Sequence, residues 1–127
     1  MKIDKKKSMH ISVSYQGTMP VQEGHLGACG DDYMRLALYI DGYADSLAYA
    51  VVNFPMIEGR KVLFIHEIFL YQKGKAECEI LLETIMGIAV AKGYDCIYAN
   101  KGKTPECFLK KNGFGETDGN LMKKEVG

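Results

Sequence analysis

One stretch of this chain, FIHEIFLYQKGKAECEILLETI, ending at Ile85, constrains the fold more than any other. An apolar strand runs into a Lys/Gly loop, and the loop opens directly into a long helix. Free backbone N–H groups and the positive end of the helix dipole meet at such a junction, making it a seat for phosphate or another anion. In the loop Lys73-Gly74-Lys75-Ala76, glycine permits close approach of backbone to a ligand and the lysines attract negative charge. A plain strand-to-helix turn has the same composition, so the loop needs support from its surroundings.

The helix itself is well marked. Cys78, Leu81, Leu82, Ile85, Ile88 and Ala89 recur at helical spacing. Glu77 and Glu79 are expected in its first turn, Lys92 in its last, and Gly93 just beyond. Upstream, Ile11 to Tyr15 alternates as a first strand, and Gln16 to Asp32, with four glycines and a proline, reads as an extended loop. Met34, Leu36, Leu38 and Ile40 alternate in a second strand. Asp41-Gly42 is a strong hairpin signal leading to a strand around Leu47 to Phe54. Pro55 to Arg60 turns the chain into a strand from Val62 to Leu70, so three successive strands should form an antiparallel meander.

After the helix, Tyr94 to Ala99 reads as a strand. Thr104-Pro105 should cap and start a short helix, Cys107 to Lys111, stopped by Asn112-Gly113. Asp118-Gly119 marks a last turn before a strand from Leu121 to Val126. The order β-β-β-β-α-β-α-β predicts one α+β domain over residues 1–127, with a mixed, mainly antiparallel sheet around a central βαβ unit.

Charged residues make up 25% of the chain and the formal net charge is zero, which gives no electrostatic case for a nucleic-acid partner. Residues 1–9, with Lys5-Lys6-Lys7, read as a flexible basic tail. No apolar run reaches membrane-spanning length, and the N-terminus carries no signal-peptide core. Cys29, Cys78, Cys96 and Cys107 are scattered, and His10, His25 and His66 do not pair at ligand spacing. The cysteines therefore read as reduced fillers of a cytoplasmic protein, with no metal site.

At this point the sequence resembles the GNAT superfamily of acyl-CoA-dependent N-acetyltransferases, over about Tyr33 to Val126. The resemblance rests on the strand FIHEIFL, the degenerate phosphate loop QKGKAEC, the helix EILLETIMGIAVAKGY and the segment CFLKKNGF. It implies that the loop Gln72, Lys73, Gly74, Lys75, Ala76, Glu77 and Cys78 binds the pyrophosphate of acetyl-CoA. The pantetheine arm would pair with Ile68, Phe69 and Leu70 like an extra strand, with Phe108 as a further contact. A strand N–H would stabilise the oxyanion, and Glu67 would be the general base toward a primary amine, from a small molecule or a lysine side chain.

The sequence departs from the family in three places. Cys78 is bulkier than the small residue usual there, and Glu77 and Glu79 oppose an anion at the helix start. Leu109 stands where the family commonly has a tyrosine that protonates the departing thiolate; Tyr71, Tyr98 or Cys107 could replace it. Strand alternation puts His66 and Glu67 on opposite faces, with His66 beside Val62, Phe64 and Ile68 as a structural residue. The Gly-rich stretch 16–32 occupies the place of the family's acceptor-side helices, implying an open acceptor side, and exposed sheet edges suit a homodimer. The alternative reading is a non-catalytic CoA-binding or protein-interaction domain of the same fold.

Overall fold

The computed structural model describes residues 9–18, 32–71, 75–117 and 119–126. Strands β1 (Met9–Thr18), β2 (Asp32–Ile40) and β3 (Ala48–Asn53) run antiparallel in sequence. A two-stranded ribbon, β4 (Met56–Ile57) with β5 (Arg60–Lys61), then stands apart from the main sheet before β6 (Leu63–Leu70) returns beside β3. Helix α1 (Lys75–Ala91) crosses to β7 (Cys96–Asn100), parallel to β6. A 3-10 turn (Lys101–Lys103), helix α2 (Glu106–Lys111) and strands β8 (Gly115–Glu116) and β9 (Leu121–Glu125) follow. The main sheet has the order β1-β2-β3-β6-β7-β9-β8, and β6–β7 is its parallel pair.

Period-two alternation sends Ala48, Ala50 and Val52 of β3, with Leu63 and Ile65 of β6, to the face under α1. From the helix, Cys78, Leu81, Leu82, Ile85 and Ala89 close over them, the residues whose spacing marks the helix in the sequence. Leu109 and Phe114 reach the same core from the α2 region. Each fully buried Leu or Ile contributes roughly 1.5–3 kcal/mol, so this one face anchors the domain. On the opposite face Val62, Phe64, Cys96 and Tyr98 form a smaller cluster, with Ile57 of the ribbon packed against it.

Both helices end on glycine. Gly93 has φ 77° and its N–H bonds to Val90 C=O at 3.0 Å, while Tyr94 N–H reaches Ala89 C=O at 2.9 Å. Gly113 has φ 92°, with the equivalent bonds to Lys110 and Leu109. These are Schellman closures, which need a left-handed residue at that position.

Several expectations are corrected. The acidic residue of the first turn of α1 is Glu77 alone; Glu79 lies a turn further on, and Lys92 lies past the last helical residue, its ammonium 4.8 Å from the Phe54 ring. Gln16–Thr18 and Asp32 belong to paired strands, with Thr18 opposite Asp32, so the expected loop is shorter at both ends. Residues 1–8 and 19–31 lie outside the described residues. Asp41-Gly42 does form a turn, with Tyr43 N–H on Ile40 C=O at 3.1 Å, but the ladder resumes only at Leu38–Ala48. Pro55 to Arg60 hides a hairpin, β4–β5, whose turn residues Glu58 and Gly59 both have positive φ. Thr104 does not start α2 directly: its hydroxyl donates to Asn100 C=O at 2.8 Å, and Pro105 C=O accepts the first helical bond, from Leu109.

Among the described residues no helix is long and apolar enough to cross a membrane, and no group of His, Cys, Asp and Glu is arranged to hold a metal ion.

Candidate functional site

The first part of β6 is paired on both sides. Leu63, Phe64 and Ile65 lie opposite Ile97, Tyr98 and Ala99 of β7, while β3 runs along the other edge. Past Ile65 the parallel ladder stops, yet β6 continues against β3 until Leu70 meets Ala48. The edge of β6 turned away from β3 therefore has no strand beside it there among the described residues. An extended ligand can bond to such an edge as one more strand. Helix α1 is the next element after that end of β6, and a helix start carries free N–H groups and the positive end of a dipole.

The register changes at the same place. Val51 faces Glu67 and Val52 faces Ile65, leaving His66 as an inserted residue, a β-bulge. Ile65 and Ile68 both pack in the core under α1. The two residues between them consequently both turn to the other face. This corrects the expectation that alternation separates His66 from Glu67, and it also removes Ile68 from the face of His66. His66 is 1% exposed, its Nε2 is 2.7 Å from Asn53 Oδ1, and its ring lies 4.6 Å from that of Phe64. It is held as a packed structural residue.

Glu67 is half-buried, among side chains supplied by three strands. Tyr49, across the ladder on β3, stacks on Phe69 at 5.5 Å, and the Arg35 guanidinium sits 4.4 Å above its ring. Burial first, then the Glu67 charge, push the Tyr49 phenol above its ordinary value; a side-chain hydrogen bond to Glu67 acts the same way, and Arg35 opposes them. The candidate carboxylate thus borders a phenol that keeps its proton. The spacing in β6 points to Glu67 but not to Tyr49 or Arg35. Their signal, aromatic and cationic residues on the outward face of neighbouring strands, depends on a register that the intervening ribbon conceals.

Other expected site residues divide between core and surface. Ile68 is buried, Leu70 packs partly on the core, and Phe69 is exposed on the Glu67 face. Lys75 and Ala76 are the first residues of α1, Glu77 is buried in its first turn, and Cys78 is fully buried beneath it. Burial, followed by the charge of Glu79, pushes the Cys78 thiol up to about 12, which fits an apolar filler. Gln72, Lys73 and Gly74, and the side chains of Lys75, Cys107 and Phe108, lie outside the described residues. Tyr98 packs in the smaller cluster with the Lys123 ammonium 5.7 Å from its ring, and Tyr71 is exposed.

No family model and no curated protein matches the chain. Solved structures do. A chain of the KacTA–DNA complex is 13% identical, covering 92% of this chain and 94% of its own, with a TM-score of 0.61. The PaiA N-acetyltransferase from Thermoplasma acidophilum, in complex with coenzyme A, is 20% identical; 75% of this chain spans 61% of that one, with a TM-score of 0.56. A GNAT-family acetyltransferase from Staphylococcus aureus Mu50 is 12% identical over 75% of this chain and 68% of its own, with a TM-score of 0.54. The fold is that of the GNAT acetyltransferases. At these identities the likeness is one of fold. Within this GNAT fold, Leu109 is completely buried and packs with α1, so its side chain offers the site neither a proton nor a polar contact.

Proposed function

We propose that this protein transfers the acetyl group of acetyl-CoA to a primary amine. The end of the β6–β7 ladder at Ile65, with β6 running on to Leu70 before α1 begins, is the observation that carries this reading. The backbone from Ile68 to Leu70 pairs with the pantetheine arm, and one of its N–H groups faces the developing oxyanion. The segment from Gln72 to Cys78 takes the pyrophosphate, with Lys73 and Lys75 offsetting its charge and Phe108 as a further contact. Cys78 acts there as a core anchor for the first turns of α1, since its side chain is buried.

Acetyl-CoA supplies the activated thioester. Glu67 accepts the proton that the amine sheds on attack, a role normally worth about 10²–10⁴ in rate. Coenzyme A leaves as its thiolate without a tyrosine acid, which a thiol of pKa near 8.5 tolerates. The acceptor is a small amine or a lysine side chain, reached from the face opposite α1. The whole chain, 1–127, acts as one unit in the cytoplasm, with a homodimer as its assembly. The KacTA structure contains DNA, whereas the zero formal net charge of this chain supports an amine acceptor over nucleic acid. Leu109 favours a second reading, a CoA-binding domain of the same fold without turnover.

Thermal unfolding during an acetyl-CoA titration tests the binding step. A specific ligand at a hundred times its Kd adds about 2.7 kcal/mol, and no shift at millimolar ligand would overturn both readings. An acetyl-transfer assay on the parent protein and on Glu67→Gln then separates them: transfer to an amine should fall about a hundredfold or more in the variant, by the measure of general-base loss. Transfer that is measurable and unchanged would remove Glu67 as base, and transfer absent from the parent protein would leave the CoA-binding reading.

A further inference from the structure

The residues between the Asp41-Gly42 turn and β3 do more than close a hairpin. The chain leaves the ladder after Ile40 and rejoins it where Leu47 N–H donates to Leu38 C=O at 2.7 Å. The end of β6 is tied to the same loop, because Tyr71 N–H donates to Leu47 C=O at 3.2 Å. These two bonds frame a cavity of about 480 Å³. Tyr39, Tyr43 and Tyr71 line it, and the loop residues Ala44, Asp45, Ser46 and Leu47 complete the wall.

Its chemistry is one-sided. Among the described residues lining it, Asp45 carries the one formal charge and no lysine or arginine is present. Asp45 also has no ion-pair partner among the described residues. Tyr43 and Tyr71 are 50% and 56% exposed, so ring surface remains open at the mouth, while Tyr39 is backed by the His10 ring at 5.5 Å. Ring faces attract cations through their quadrupole, and a carboxylate gives a charge-assisted bond to an ammonium. The same carboxylate repels phosphate, which sets this cavity apart from the loop that begins after Tyr71. Its volume falls within the roughly 300–1,000 Å³ usual for small-molecule sites.

We infer that this cavity binds an organic cation, an alkylammonium ion whose charged head meets Asp45 and whose carbon body lies against Tyr39, Tyr43 and Tyr71. The site does not depend on acetyl transfer and is tested without acetyl-CoA. Tyrosine ring resonances of the intact protein are followed by NMR during titration with n-butylammonium, and separately with neutral 1-butanol. Butylammonium should shift the Tyr43 and Tyr71 signals saturably, with 1-butanol producing no matching curve. Asp45→Asn should weaken binding by about two- to fivefold, the measure of an exposed charge pair, and Tyr43→Ala by about two- to fivefold. Both positions lie on an exposed loop, and thermal unfolding verifies that each variant is folded. Equal binding of the alcohol, full affinity in Asp45→Asn, or displacement of butylammonium by coenzyme A would overturn the inference. The last result would give the cavity to the CoA site.

Discussion

Cys78 and Cys96 carry thiols that burial pushes above the ordinary range, in Cys78 to about 12. Thiolate is the reactive species, so neither should react with a thiol reagent while the protein is native. Peptide mapping after brief alkylation should find both free, and labelling at native conditions would contradict their burial. Tyr49 adds a pH signature. Its phenol is raised, so between the unfolded and folded values the native state holds a proton that the unfolded state has lost. That stabilisation is fully present below about pH 10 and is lost as pH rises through the folded value. Tyr49→Phe should therefore flatten the alkaline loss of stability, measured by denaturant unfolding across that range. At Leu109, which is fully buried, truncation to alanine should cost about 2–5 kcal/mol. Restoring a tyrosine there by Leu109→Tyr should overpack the core at about 1–3 kcal/mol.

Among the elements, the helix closures make the sharpest comparison. Gly93 and Gly113 both hold left-handed backbone, where an L side chain costs about 1–2 kcal/mol. A Cβ at Gly93 meets nothing, but at Gly113 it would lie 2.6 Å from Lys124 Nζ, which donates to Asn112 C=O at 2.8 Å. The Lys124 ammonium can swing aside by giving up that bond. Chemical unfolding should therefore show Gly113→Ala to be more destabilising than Gly93→Ala by at most about 1 kcal/mol, the worth of one hydrogen bond, and the reverse order would contradict the contact. Helix α1 is legible in the sequence because its apolar spacing and its terminal glycine agree. The bulge at His66 is not, because an inserted residue leaves no mark on one strand and shows only against the register of its partner. Asp41-Gly42 names a turn correctly and says nothing of loop length. That depends on where Leu38 and Ala48 pair across the sheet. The candidate base was visible in β6, while Tyr49 and Arg35 beside it were hidden for the same reason of register.

Across the whole molecule, α1 and the Leu109 region of α2 cover one face of the sheet. The other face, from β2 to β6, presents Arg35, Tyr49, Glu67 and Phe69, an aromatic and polar surface. In the proposed function the coenzyme takes the seam where β6 outruns β7 and the acceptor takes that face, the edge of a strand for one and its face for the other. Amide hydrogen exchange along β6, with and without coenzyme A, tests this division directly. Phe64 and Ile65 are paired on both sides already and should not change. Amides from Ile68 to Leu70 that face the seam should slow markedly when coenzyme A is added. Unchanged exchange there, with coenzyme A bound, would contradict the assignment of the seam.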